Sequence, residues 1–167
     1  VGSLAIGTEA KTEAERALAL GNTANAKGAE SIVIGGNAIS EGHRAVTIGY
    51  EAHGQGMDSL VLGASAKSEG DRTVVLGGEA EGKGLDALAV GAKAKAEKDR
   101  AVAIGAESMA KGFDATVIGT KARGETNFAI AVGGGAEVTG ENALAIGREA
   151  KASGKDTVAI GHNAAVS

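Results

Sequence analysis

A glycine recurs every 14 residues along this chain, at Gly7, Gly21, Gly35, Gly49, Gly63, Gly77, Gly91, Gly105, Gly119, Gly133, Gly147 and Gly161. No insertion or deletion interrupts the series, so any fold of the chain has to repeat with it. Copies are numbered here so that the first is Ser3–Arg16 and this glycine is position 5. Position 4 is Ile, Leu or Val in every copy, and position 2 is so in every copy but one, where Thr116 stands. Position 3 is Ala, Val or Thr; position 8 is Ala except for Ser108; position 10 is small or Val. Position 12 is Gly except at Ala14, Lys98 and Thr126, and together columns 5 and 12 hold 20 of the 28 glycines.

A helix does not suit this unit, because each interior glycine costs a helix roughly 1 kcal/mol. The local pattern has period two: positions 2 and 4 share one strand face and position 3 takes the other. Each copy therefore reads as strand, turn, strand, turn, with glycine supplying positive φ in the turns. One such unit buries nothing alone. Stacked copies do, each strand pairing in parallel with the same strand one copy on. The expectation is an all-β, parallel β-solenoid with one copy per rung, a single unit over residues 1–167. At ~4.8 Å between strands, twelve rungs give a rod roughly 55 Å long.

A 14-residue rung is flat, and its two sheets leave room only for small side chains. Positions 3, 8 and 10 suit that interior. This explains why the chain has no Trp, one Tyr and two Phe, and the absence of Pro keeps every ladder hydrogen bond available. Positions 9 and 11 then form a solvated face. Positions 2 and 4 point outward from the first strand. They are Leu4, Ile6, Leu18, Leu20, Ile32, Ile34, Val46, Ile48, Leu60, Leu62, Val74 and Leu76 in the first six copies. In the last six they are Leu88, Val90, Val102, Ile104, Ile118, Ile130, Val132, Leu144, Ile146, Val158 and Ile160. Leaving these side chains wet forgoes ~1.5–3 kcal/mol each, and an apolar face of that extent implies a partner. The simplest is another copy of the chain, in a symmetric bundle of parallel rods. The alternative is a monomeric solenoid with positions 2 and 4 inside, which leaves the alanines of column 8 at the surface.

Like charges on identical stacked rungs would repel, and the sequence avoids this. Position 14 reads Arg16, Glu30, Arg44, Asp58, Arg72, Asp86, Arg100, Asp114, alternating in sign, and position 11 alternates in opposite phase from Glu13 to Glu125, with the neutral Gln55 in place of one base. Each charge is expected to face an opposite charge on the rungs above and below. The electrostatic unit is thus 28 residues. Position 13 shares it: Met57, Leu85 and Phe113 fall on alternate rungs. With Met109 and Phe128 they form a candidate stripe for packing or ligand contact. Copy nine departs most from the pattern, through Thr116, Thr126 and Phe128, and it breaks the charge alternation.

Other signals are weak. Gly77–Gly84 nearly matches a phosphate-binding loop, but Gly84 stands where Ser or Thr should be, and a strand copy follows instead of a helix. His43, His53 and His162 occupy different columns and form no ligand set, so no metal or cofactor is expected. No catalytic constellation can be read, and the chain is not expected to be an enzyme. With 17 Lys+Arg against 21 Asp+Glu, nothing favours a nucleic-acid partner. The longest apolar run, Phe128–Val132, is far below the ~18 residues of a membrane helix.

The repeat, as in Ser3-Leu4-Ala5-Ile6-Gly7, Ala101-Val102-Ala103-Ile104-Gly105 and Ala143-Leu144-Ala145-Ile146-Gly147, resembles the head repeat of trimeric autotransporter adhesins, the YadA-like heads of Gram-negative bacteria. The resemblance spans the whole chain. It implies a left-handed parallel β-roll assembled as a parallel homotrimer, with positions 2 and 4 at the trimer interface. It also implies display at the bacterial cell surface, as the extracellular part of an outer-membrane-anchored protein. The expected partner is a host matrix protein such as collagen, fibronectin or laminin, or another cell-surface ligand. The alternative is a passive spacer that projects another binding domain. The repeat begins and ends in mid-copy, which reads as a piece cut from a longer head without stalk, neck or anchor.

Overall fold

The computed structural model of the chain describes residues 2–167. It has two parallel sheets of 12 strands each. The first is built from positions 2–4 of every rung, from Leu4–Ile6 to Val158–Ile160, and the second from positions 9–10, from Lys11–Thr12 to Ala165–Val166. The register is one rung throughout: Val74 pairs Leu88, Val75 pairs Ala89 and Leu76 pairs Val90, and Lys67 pairs Glu81 on the second sheet. The ladder continues around the turns, where Gly21 N–H donates to Ile6 C=O at 2.9 Å and Thr23 N–H to Thr8 C=O at 2.8 Å. Every rung thus templates the next, and the strands stay very short because no single rung needs to be stable alone.

Position 3 meets positions 8 and 10 between the sheets, as Ala19, Val33, Ala38 and Ala52 show, all at 0–1% exposure. Position 1 belongs to the interior as well, which the period-two reading overlooks: Ser31, Ala45 and Thr73 are fully buried. Its serines are compatible with burial because the hydroxyl donates back into its own turn. Ser31 Oγ reaches Gly28 C=O at 2.7 Å and Ser59 Oγ reaches Gly56 C=O at 2.8 Å.

Positions 3 and 10 trade volume across the gap. Val33 and Val61 are in rungs with Ser40 and Ser68, Val75 and Val117 are in rungs with Gly82 and Gly124, and Ala89 and Ala103 are in rungs with Ala96 and Ala110. The reason is steric: a Cβ on Gly82 would lie 2.8 Å from Val75 Cγ2, and one on Gly124 the same distance from Val117 Cγ2. Gly82→Ala should therefore cost ~1–3 kcal/mol by overpacking. Adding Val75→Ala recreates the Ala/Ala pair native to the next rung, and it should recover most of that loss in a denaturant melt. Additive losses in the double variant would refute the volume trade.

The two glycine columns answer different demands. Position 5 does take positive φ, with Gly77 at 140°, and its Cβ would also lie 2.4 Å from the carbonyl oxygen of Gly91. Position 12 does not take positive φ, contrary to the sequence reading. It is glycine because rungs approach too closely: a Cβ on Gly42 would lie 2.0 Å from the Gly56 carbonyl oxygen. The left-handed residue of each turn is instead its third, at positions 7 and 14, where φ lies between 54° and 60° for charged side chains such as Arg72 (54°) and Lys121 (60°). Thr126 replaces a column-12 glycine and turns its hydroxyl to the next rung, donating to Gly140 C=O at 2.8 Å. Lys98, the other interior replacement, extends its ammonium over the Phe113 ring, 5.7 Å from the centroid.

Candidate functional site

The roll presents two faces and two turn edges. The outer face of the first sheet carries all 23 aliphatic residues of positions 2 and 4, and none is buried. At mid-rod Leu60 and Leu62 are 37% and 45% exposed, and Ile118 and Ile130 are 39% and 40%. Alternation on a three-residue strand forces this, since position 3 occupies the interior. The opposite face carries position 9, half of it Lys or Glu, with Lys95 Nζ 3.4 Å from Glu81 Oε1. A shallow groove beside it is lined by Ser65, Lys67, Glu79, Glu81, Lys93 and Lys95. Its charges answer one another, and its Lys93–Glu79 contact is 3.8 Å.

The edge formed by positions 12–14 carries the charge column. Arg44 Nε donates to Asp58 Oδ1 at 2.6 Å, Arg72 Nε to Asp86 Oδ1 at 2.6 Å and Arg100 Nε to Asp114 Oδ1 at 2.6 Å, each with a second bond from Nη2. Arg16 pairs with Glu30 in the same sense. Each arginine thus grips the acid of the following rung, and the column is a series of two-rung dyads. The expected symmetric contact above and below is absent among the described residues: Arg72 acts on Asp58 only through space. The position 11 column pairs more sparsely, through Lys27–Glu41 at 3.0 Å and Lys111–Glu125 at 2.5 Å. His53 lies 3.7 Å from Glu41. The Lys27 hydrogen bond holds the Glu41 carboxyl below its ordinary value, against the opposing pull of burial.

The guanidinium hydrogen bonds hold Asp58, Asp86 and Asp114 below the usual carboxylate range, more strongly than desolvation raises them. The folded state therefore binds these protons less readily than the unfolded chain. The dyads contribute fully above the unfolded value of about 4, and the contribution is lost as pH falls through the lowered folded values. Reversing Arg72 and Arg100 to Glu should lower the melting temperature at low salt, flatten this acid limb, and lose its effect at high salt. A melting temperature that ignores the double reversal would show the dyads to be inert.

Position 13 holds Met57, Leu85 and Phe113 on the same edge, exposed by 49%, 43% and 41%. The intervening rungs carry the other half of the pattern, which the sequence reading misses. Asp71, Asp99 and Asn127 turn their side chains to the preceding rung and accept from the backbone N–H of Met57, Leu85 and Phe113 at 2.8, 3.0 and 3.0 Å. Acceptors therefore alternate with exposed apolar side chains. Phe128 joins this edge, its N–H donating to Phe113 C=O at 2.9 Å. Met109 does not: it sits on the second sheet between Lys95 and Arg123. Among the described residues no group of three or more His, Cys, Asp or Glu is placed to hold a metal. Gly77–Gly84 runs through a turn into the strand Glu81–Gly82 and back into a turn.

The YadA head domain repeat, a two-copy unit, matches residues 1–24, 26–52, 55–80, 83–108, 110–136 and 139–164. Each match spans about two rungs, the length of the charge repeat. No curated protein sequence matches the chain. Among solved structures, the collagen-binding domain of the Yersinia adhesin YadA is similar at 25% identity over 97% of this chain and 82% of that one, with a TM-score of 0.49.

Proposed function

Because the chain belongs to the YadA head-repeat family of trimeric autotransporter adhesins, we propose that it is an adhesive head. In this reading three parallel rolls bury their position 2 and 4 faces against one another. Their remaining surfaces attach a Gram-negative cell to host matrix, with collagen the first candidate. The head stands outside the cell, as part of an outer-membrane-anchored protein. One observation carries the reading: an outer face of large aliphatics, interrupted only at Thr116, on a roll whose own interior is filled mostly by alanine. Such a face needs an apolar partner of the same length and period, and another copy of the chain has both. Repetition along the rod and across three chains would then supply avidity that no single contact does.

The test is binding of the purified chain to immobilised collagen, fibronectin and laminin, with its mass measured by light scattering. The expected result is a trimer that binds collagen. A trimer that binds none of the three would make the rod a spacer, and a monomer would remove the interface on which the reading rests.

A further inference from the structure

In a cyclic ring of parallel rods every interface is heterologous: each protomer offers one edge to its neighbour and receives the other edge of the next. If the first-sheet faces meet at the centre, the edge of positions 13 and 14 on one protomer lies beside the edge of positions 6 and 7 on the next. These two edges differ in shape. Large side chains stand out on the first, at Met57, Leu85 and Phe113, in rungs 4, 6 and 8. The second is flat beside Leu85 and Phe113, where position 6 is Gly78, Ala92 and Ala106 in rungs 6 to 8, whereas Tyr50 stands out from it in rung 4, the rung of Met57. Toward the C-terminal end both edges carry charge or imidazole, with Glu141 and Lys155 at position 13 and Arg148 and His162 at position 6.

Charge gives the level. Position 14 follows position 7 of its own rung by seven residues and precedes that of the next rung by seven, so in a regular coil it stands midway between them in height. In rungs 6 to 8 the signs toward its own rung are alike: Glu79 with Asp86, Lys93 with Arg100, Glu107 with Asp114. Toward the next rung every pair is opposite: Arg72 with Glu79, Asp86 with Lys93, Arg100 with Glu107, Asp114 with Lys121. Both columns sit at the left-handed turn residue, and none of these charged residues is buried. The two columns are thus matched for contact one rung up, and mismatched for contact at the same rung.

We infer that in the trimer the position 13–14 edge of one protomer packs on the position 6–7 edge of the next, with Leu85 between Gly78 and Ala92 and the charges of position 14 facing those of position 7 one rung up. The inference rests on the trimer reading and adds a second contact surface, at each corner of the prism, that also sets the axial register of the three chains. The apolar stripe is then an assembly surface, not a ligand surface.

The chain has no cysteine, which makes the test direct. Leu85→Cys combined with Ala92→Cys, treated with a copper–phenanthroline oxidant, should run on a non-reducing gel as a covalent trimer. The two positions lie on opposite edges of one roll, so a bond between them has to join two chains. The same-edge pair Leu85→Cys with Met57→Cys should give no covalent trimer. A double variant that is trimeric by light scattering yet does not cross-link would overturn the edge pairing and leave the trimer standing. A monomeric mass before oxidation would overturn both.

Discussion

Gly77→Ala should destabilise the rod by about 3 kcal/mol or more, whereas Gly78→Ala, one residue along, should change stability by no more than about 0.5 kcal/mol. The two glycines are neighbours in one turn, but only Gly77 belongs to the 14-residue column. Gly77 has φ of 140°, a conformation L side chains rarely adopt, and an added Cβ would lie 2.4 Å from the carbonyl oxygen of Gly91 on the next rung. Neither problem has a local remedy. The obstructing atom is backbone, and moving it breaks the ladder bond from Gly91 N–H to Leu76 C=O, now 2.8 Å. Gly78 has ordinary φ, and its nearest neighbour to an added Cβ would be the Ala64 carbonyl oxygen at 3.8 Å. Because rungs stabilise one another only through their neighbours, damage at rung 6 divides the stack, and the transition should broaden as well as shift. Chemical denaturation of both variants beside the parent reads this out. Equal losses would mean that the position 5 glycines are not a steric requirement of stacking.

The same pair of glycines shows which parts of the fold are legible in the sequence. Periodicity fixes rung length, sheet number and register, because twelve copies repeat one unit without a gap, and the structure follows it strand for strand. It also directs the aliphatic columns outward, since position 3 has to be inside. What it hides is the reason for a residue. Columns 5 and 12 are both rich in glycine, but column 5 takes positive φ, whereas column 12 takes ordinary φ and is crowded by the next rung at its glycines, and only the backbone geometry distinguishes them. The sign alternation at position 14 predicts neighbours of opposite charge. It does not predict dyads, because an arginine between two acids has one on either side and only the side-chain contacts show that Arg72 grips Asp86 and not Asp58. Asp71 and Asp99 are legible in principle: an Asx on the rung after each exposed apolar residue is a 28-residue signal, masked by the more conspicuous apolar half.

Ile104→Asp should abolish assembly. Ile104 lies on the outer face of the first sheet at mid-rod, half-buried within the single chain and paired in register with Val90 and Ile118. On a lone roll an aspartate there is solvated and nearly harmless. In a threefold bundle, three aspartates meet near the axis between aliphatic rungs, each losing hydration without a cationic partner. Several kcal/mol per carboxylate, and on the order of 10 kcal/mol per trimer, would oppose association. Met109→Asp is the matched control, in the same rung on the opposite sheet between Lys95 and Arg123, where a carboxylate gains two cationic neighbours. Light scattering should show the Ile104→Asp variant as monomer or unfolded chain and the Met109→Asp variant unchanged. Far-ultraviolet circular dichroism separates the first two outcomes, and either one places Ile104 at a buried contact. A stable trimer of the Ile104→Asp variant would mean that the rolls associate through another surface and that the aliphatic face awaits a different partner.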